Sequence, residues 1–246
     1  MFIPKERYVR IGSVNTRYYA EGKGSPVVLV HGAGGSASGW LPCIGPLSEK
    51  HRVLALDLPG HARSGEWDSH QHGLPGLAKF VCDFMTEMKL EHADLAGHSM
   101  GGGIVLQMAQ FFPARVRKMT LISSLGLGRE LSFLYRLASI PVLGEFLAGR
   151  DYTPDLKKYG EKVKAGLKNP AQISDEFIQN LFEVEQTPPH YKNTLKLLRT
   201  YANLLGQKPS LYAANLQHLP SINNPTLLIW GRQDDVLPIR HGEMAA

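Results

Sequence analysis

Cysteine is scarce in this chain: 2 among 246 residues, Cys43 and Cys82. Two thiols so far apart make neither a disulfide framework nor a metal-ligand set. Both read as free thiols of a protein in a reducing, cytoplasmic compartment. No apolar run is long enough to span a bilayer. Phe133 to Leu147 comes nearest, but Arg136, Pro141 and Glu145 interrupt it. The opening Met1-Phe2-Ile3-Pro4-Lys5-Glu6-Arg7 lacks the apolar centre of an export signal, and stable membrane anchoring is not expected. Internal repeats and low-complexity tracts are missing as well. Basic residues are in excess, 27 Lys+Arg against 22 Asp+Glu, but they are scattered. The densest group (Lys157, Lys158, Lys162, Lys164, Lys168) alternates with Asp155 and Glu161 at helical spacing. That is a solvated helix face, not a phosphate-binding stripe, so no nucleic-acid partner is expected.

What remains is an ordinary globule, 43% hydrophobic and 20% charged, large enough for one sizeable core. Tyr8 to Ala20 alternates as a hairpin does, with its turn around Gly12-Ser13-Val14-Asn15. Pro26-Val27-Val28-Leu29-Val30 is continuously apolar, as a strand buried on both faces must be. Arg52 to Asp57 and Val116 to Ser123 are further strands. Between them, Leu77, Phe80, Val81, Phe84, Met85 and Met88 share one helical face and form core rather than a cofactor box. The alternation predicts an α/β fold, a mostly parallel sheet flanked by helices. The rhythm breaks at Gly126. From there the chain reads as helices punctuated by Pro141, Pro154, Pro170, Pro188-Pro189 and Pro209, with no convincing strand. Residues 1–125 and 220–246 are therefore expected to form the core, and 126–219 a helical cap insertion over the C-terminal edge of the sheet. The apolar part of the insertion, Phe133 to Leu147, either lines a substrate pocket or packs the insertion itself.

The chemistry concentrates in Leu95-Ala96-Gly97-His98-Ser99-Met100-Gly101-Gly102-Gly103. An apolar strand from His92 to Gly97 meets a helix from Met100 to Phe112 through a Gly-x-Ser-x-Gly core. Such a turn strains the serine backbone and lifts Oγ above the sheet edge. The flanking glycines leave room for the neighbouring strand and helix. Amides at the helix start then face developing negative charge. Upstream, His31-Gly32-Ala33-Gly34-Gly35-Ser36 lacks the lysine of a phosphate-binding loop. With Asp57 at the end of the next strand, it keeps a dinucleotide site as a weaker alternative. The better reading is an oxyanion loop that offers an N–H beside the serine.

Four pieces in order, His31-Gly32-Ala33-Gly34, Asp57-Leu58-Pro59-Gly60-His61, Gly97-His98-Ser99-Met100-Gly101-Gly102 and Gly231-Arg232-Gln233-Asp234 with Pro238, carry a family resemblance. The chain resembles the α/β-hydrolases, in particular their capped serine esterase and meta-cleavage-product-hydrolase-like branch, over essentially its whole length. Ala62 departs from the glycine usual there. The resemblance implies Ser99 as nucleophile, the Met100 and Ala33 amides as oxyanion hole, and Asp234 as the acid that orients a histidine, with Asp235 its rival. Serine at the elbow also separates the chain from the haloalkane dehalogenase and epoxide hydrolase branches, which carry aspartate. The implied partner is a small-molecule acyl substrate, with no metal and no organic cofactor. Oligomeric state has no mark in the sequence.

The triad histidine is the gap. In the family it comes from a loop after one more strand, and Ala246 is reached first. His241 is a poor candidate. His98 is expected to point into local packing, His31 to brace the oxyanion loop and His61 a nearby turn, with His190 and His218 in the insertion. The expectation is a truncation in which the last strand, the histidine loop and the closing helix are missing. The apolar Thr226-to-Trp230 strand would then lie at a sheet edge with one face poorly covered. A non-catalytic ligand-binding protein on the same scaffold is the alternative.

Overall fold

A computed structural model of the chain describes residues 2–67, 73–167, 169–185 and 190–246, without the side chains of Asp151 and His190. Of the features singled out above, Lys168, Pro188, Pro189 and the His190 side chain lie outside the described residues.

The chain opens with a hairpin, β1 (Glu6–Ile11) and β2 (Val14–Glu21), whose turn uses Gly12 at φ +57°. Then come β3 (Ser25–Val30), α1 (Leu41–Ser48), β4 (His51–Leu56), α2 (Leu74–Glu87), β5 (Ala93–His98), α3 (Met100–Phe111) and β6 (Val116–Ile122). Between β6 and the next sheet strand lie α4 (Phe133–Ala138), α5 (Leu143–Asp151), α6 (Leu156–Ala165), α7 (Asp175–Glu185) and α8 (His190–Tyr201). The pair β7 (Ala202–Asn203) and β8 (Gly206–Gln207) and helix α9 (Pro209–His218) follow. The sheet resumes with β9 (Thr226–Ile229), and α10 (Arg240–Ala245) comes last. The seven-stranded sheet runs β1-β2-β4-β3-β5-β6-β9. In that order the strands from β4 to β9 pair in parallel, and only β2 runs antiparallel, to both β1 and β4. This is the α/β architecture that the alternation predicts.

Burial explains the element types. Both ladder neighbours and both faces cover β3 and β4, so Val27 to Val30 and Val53 to Leu56 are all buried. The α2 stripe packs inward as expected, with Leu77, Val81, Phe84 and Met85 fully buried. Each such side chain contributes about 1.5–3 kcal/mol relative to exposure. At the far edge, β9 leaves Leu227 56% and Ile229 45% exposed, the poorly covered face anticipated for this strand.

The segment between β6 and β9 does not build a core of its own. Leu195, Leu198 and Tyr201 of α8 join the core on the α2–α3 face, whereas Phe177, Ile178 and Leu181 of α7 join Trp40 and Leu41 on the other. The segment leaves the sheet at Gly126, whose φ of +90° brings its amide and carbonyl between two side-chain amides. Gln207 accepts from Gly126 N–H at 2.7 Å, and Asn215 donates to its carbonyl at 3.1 Å. Two expectations change here. A strand pair, β7 with β8, does occur within the helical region; two residues per strand are too few to print a period in the sequence. The apolar run Phe133 to Leu147 mostly lines no pocket and packs no core: Phe133, Leu134, Val142 and Phe146 are exposed. Among the described residues, no helix is long and apolar enough to cross a membrane.

Candidate active site

Ser99 sits between β5 and α3 at φ +54°, ψ −117°, in the left-handed half of conformational space that a residue with a Cβ avoids. The strain is held in place from three sides. Ser99 N–H donates to Ile122 of β6 at 2.9 Å, and Ser99 C=O accepts from Gly102, Gly103 and Leu125. A Cβ at Gly97 would come within 2.3 Å of the Gly101 carbonyl oxygen, and one at Gly101 within 2.2 Å of that of Val30. Both glycines are thus required by backbone contact. The serine hydroxyl does not cap its own helix, and among the described residues it has no hydrogen-bond partner.

Ser99 opens into a cleft of about 460 Å³. Ala33 and Gly35 of the glycine-rich loop line it, as do Trp40, His98, Tyr135 of α4, Leu181 and Glu185 of α7, and Asp234. Ala33 and Met100 N–H groups donate to no other protein group among the described residues, so two amide protons beside the cleft are unspent. Asp234 follows β9. Its Oδ1 accepts from Val236 and Leu237 N–H, both at 2.9 Å, which fixes the carboxyl at the cleft wall; Oδ2 has no hydrogen bond among the described residues. Asp235, one residue on, is exposed and outside the cleft lining. The tertiary structure therefore brings Ser99, Asp234 and Ala33 to one cleft and leaves Asp235 apart.

The histidines separate by environment. His31 is 3% exposed; its Nε2 accepts from Leu58 N–H at 2.9 Å, so the ring proton is on Nδ1, which donates to the Gly32 carbonyl at 2.7 Å. With both nitrogens engaged, His31 braces the glycine-rich loop. Burial drives its pKa from 6.5 down to about 4, with the Gly32 bond opposing. The folded state resists this protonation while the unfolded chain accepts it near pH 6.5, so stability complete above 6.5 is lost as the pH falls toward 4. The loss attributable to this ring is about 3 kcal/mol. Urea unfolding of the wild type and His31→Gln at about pH 7 and about pH 4 isolates it. Parallel pH profiles for the two proteins would refute the assignment.

His98 does not pack inward as expected. It is exposed and lines the cleft, with Nδ1 beside Gly32. The surrounding protein lowers its pKa even so, partly offset by the Asp234 charge. His241 is fully buried elsewhere: Nε2 meets Glu130 at 2.6 Å, the ring stacks edge-on against Trp230, and it does not reach the cleft. His218 is exposed at the end of α9. Ala62, where the family usually has glycine, adopts φ +48°, a left-handed conformation that is costly for a residue with a methyl group.

One cleft residue, Glu185, had no sequence signal. Glu185 reaches across from α7, where its Oε1 accepts from Ser36 Oγ–H at 2.8 Å and its Oε2 from Tyr159 O–H at 2.9 Å. Behind the loop, Asp57 is fully buried against Arg17, and its Oδ1 accepts from Ala37 N–H at 2.7 Å. Asp57 is thus an internal anchor and does not face a nucleotide-sized ligand. Among the described residues, no group of His, Cys, Asp and Glu gathers as a metal site requires.

The chain is similar to several known proteins. The chain is 31% identical over 248 residues to the dihydrolipoyllysine-residue acetyltransferase component of the acetoin cleaving system of Cupriavidus necator, covering 97% of this chain but 60% of that protein. It spans the same 60% of the Pseudomonas putida counterpart. It is 31% identical to 2-hydroxy-6-oxo-6-phenylhexa-2,4-dienoate hydrolase of Comamonas testosteroni, over 92% of this chain and 77% of the relative. Among solved structures, a meta-cleavage product hydrolase from Pseudomonas fluorescens superposes with a TM-score of 0.74 at 20% identity, covering 97% of this chain and 84% of that one, a likeness of fold. The model of the alpha/beta hydrolase fold matches residues 25–246, which takes in every sheet strand from β3 onward together with the Ser99 turn and the Asp234 loop. On that match the chain belongs to the alpha/beta hydrolase fold family.

Proposed function

We propose that this chain carries the machinery of a serine hydrolase that works through an acyl-enzyme and that, with no imidazole hydrogen-bonded to Ser99 among the described residues, it is by itself inactive or weakly active. Ser99 attacks the carbonyl carbon, the Ala33 and Met100 N–H groups receive the developing oxyanion, and Asp234 is the acid that orients a histidine. Water then releases the carboxylic acid. The observation that carries the reading is the strained, uncapped Ser99 hydroxyl opening into the same cleft as the Asp234 carboxyl. A backbone held at φ +54° costs folding energy, and positions of that kind concentrate where chemistry needs them.

Residues 126–219 act as the cap in this reading, with 1–125 and 220–246 as the hydrolase core. Tyr135, Leu181, Trp40 and Val236 make the cleft largely apolar, which favours a small to medium, moderately hydrophobic carboxylic ester. The dienoate hydrolases among the relatives support a C–C bond of a vinylogous diketone acid as the other substrate class. Free thiols at Cys43 and Cys82 agree with a cytoplasmic setting, with no nucleic acid or membrane anchor needed as a partner.

A second reading, a ligand-binding protein on a hydrolase scaffold, is favoured by one observation: no imidazole is hydrogen-bonded to Ser99 among the described residues. A fluorophosphonate probe separates the two, because it reacts with an activated serine and needs no particular substrate. With free imidazole supplied as the base, the expected outcome is covalent labelling of the wild type at Ser99 and none in Ser99→Ala. Equal labelling of both proteins, or none in either, would leave the binding-protein reading standing.

A further inference from the structure

Glu185 lines the same cleft as Ser99 and Asp234 and takes no part in the proposed acyl chemistry. It is anchored rather than dangling: Ser36, at the end of the glycine-rich loop, and Tyr159 of α6 each donate to one carboxyl oxygen. Two fixed donors hold the group in one orientation, yet leave each oxygen a second lone pair for a ligand. Its other charged neighbours lie behind the loop, Asp57 repelling its charge and Arg17 attracting it, while His31, His98 and Asp234 share the cleft. Neither Lys nor Arg lines the cleft among the described residues. The wall facing a bound tail is therefore an acceptor with no cation to balance a second anion.

We infer that Glu185 selects the substrate: the cleft takes acyl or alcohol groups ending in an ammonium or a hydroxyl donor and turns away those ending in a carboxylate. This deepens the serine-hydrolase reading and rests on it for the identity of the cleft as a substrate site. An ammonium would make a charge-assisted hydrogen bond to a carboxylate whose desolvation the fold has already imposed. A substrate carboxylate would meet a like charge in a confined, poorly solvated space, and one of the two would have to take up a proton. Burial pushes Glu185 up to about 7, so discrimination is strongest above that pH, where the charge is fully present. Within the reading above, esters of amino or hydroxy compounds are thereby preferred over the dienoate class.

The test uses anilides, which resist hydrolysis and so report binding without turnover. Calorimetric titration at about pH 8.5 compares γ-aminobutyranilide, neutral butyranilide and succinanilic acid on the intact chain. The amine is expected to bind at least about tenfold more tightly than the acid, with the neutral anilide between them. Glu185→Gln, which preserves shape and keeps both hydroxyl contacts once one hydroxyl turns to accept from the amide NH2, should shrink that gap to within about threefold and leave butyranilide unchanged. Glu185→Met substitutes if the amide variant does not fold. Asp234→Asn should keep the gap. A gap absent from the wild type, surviving in the Glu185 variants or vanishing in Asp234→Asn overturns the inference. Should the gap follow Glu185 while fluorophosphonate leaves Ser99 unlabelled, the selectivity stands and the hydrolase reading falls.

Discussion

Hydrolysis of p-nitrophenyl acetate by this chain is expected to run on the order of 10⁴-fold or more below that of a hydrolase whose serine is paired with an imidazole. Free imidazole in the buffer should restore part of the rate. A serine hydroxyl is a weak nucleophile near neutrality until a base takes its proton. Among the described residues Ser99 Oγ has no partner, His31 has spent both nitrogens, and His241 is locked on Glu130 away from the cleft. The unspent amides of Ala33 and Met100 remain, and an oxyanion hole alone still accelerates acyl transfer over water. The cleft of about 460 Å³ is roomy enough to admit a small imidazole beside an acetyl ester. Stopped-time assays of wild type and Ser99→Ala across an imidazole titration decide the matter, because imidazole also attacks the ester in bulk solution. A rate increase of the same size in both proteins would rule out rescue at Ser99. High turnover by the wild type without imidazole would show that a base already serves it, with His98, exposed into the cleft near Asp234, the first residue to replace.

Arg17→Met should cost about 3–5 kcal/mol of unfolding free energy, a large share of the 5–15 kcal/mol that holds a domain of ordinary stability together. Arg17 and Asp57 are both fully buried, joined from Nη1 at 3.2 Å and 3.0 Å. Nη2 of Arg17 also reaches Ser38 at 3.2 Å, the Tyr19 hydroxyl and Glu6. Burial already pushes the Asp57 carboxyl up, with the Arg17 charge opposing; without that charge, Asp57 would be an uncompensated anion or would take a proton. The penalty comes from the stranded partner rather than from the pair's intrinsic strength. Arg17→Met combined with Asp57→Leu should therefore recover part of the loss. Urea midpoints of the two single variants and the double variant give the coupling, and a single variant within about 1 kcal/mol of wild type would contradict this account. Activity should suffer alongside stability. Asp57 holds the Ala37 and Arg63 amides at 2.7 Å and 3.2 Å, and with them the end of the glycine-rich loop and the turn that follows β4.

Local rules were enough for much of this protein. The parallel strands announced themselves as apolar runs because both of their faces are covered, and α2 as a stripe because only one of its faces is. The Ser99 turn was legible because its geometry forces glycine at 97 and 101, a demand that backbone contacts impose on sequence directly. Other features depend on which distant groups meet, and no neighbour along the chain carries that information. The spacing of Gly231, Asp234 and Pro238 favoured Asp234 over Asp235 only by resemblance, whereas the fold puts Asp234 at the cleft and leaves Asp235 outside its lining. His98 lies beside Gly32 at the cleft, and Glu185 meets Ser36, 149 positions away along the chain. Phe133, Leu134 and Phe146 have the apolar character of core residues yet remain outside it, since burial is decided by available neighbours rather than by hydrophobicity alone. Short-range sterics thus wrote the elbow and the sheet into the chain, whereas long-range packing chose which carboxyls and imidazoles share its cleft.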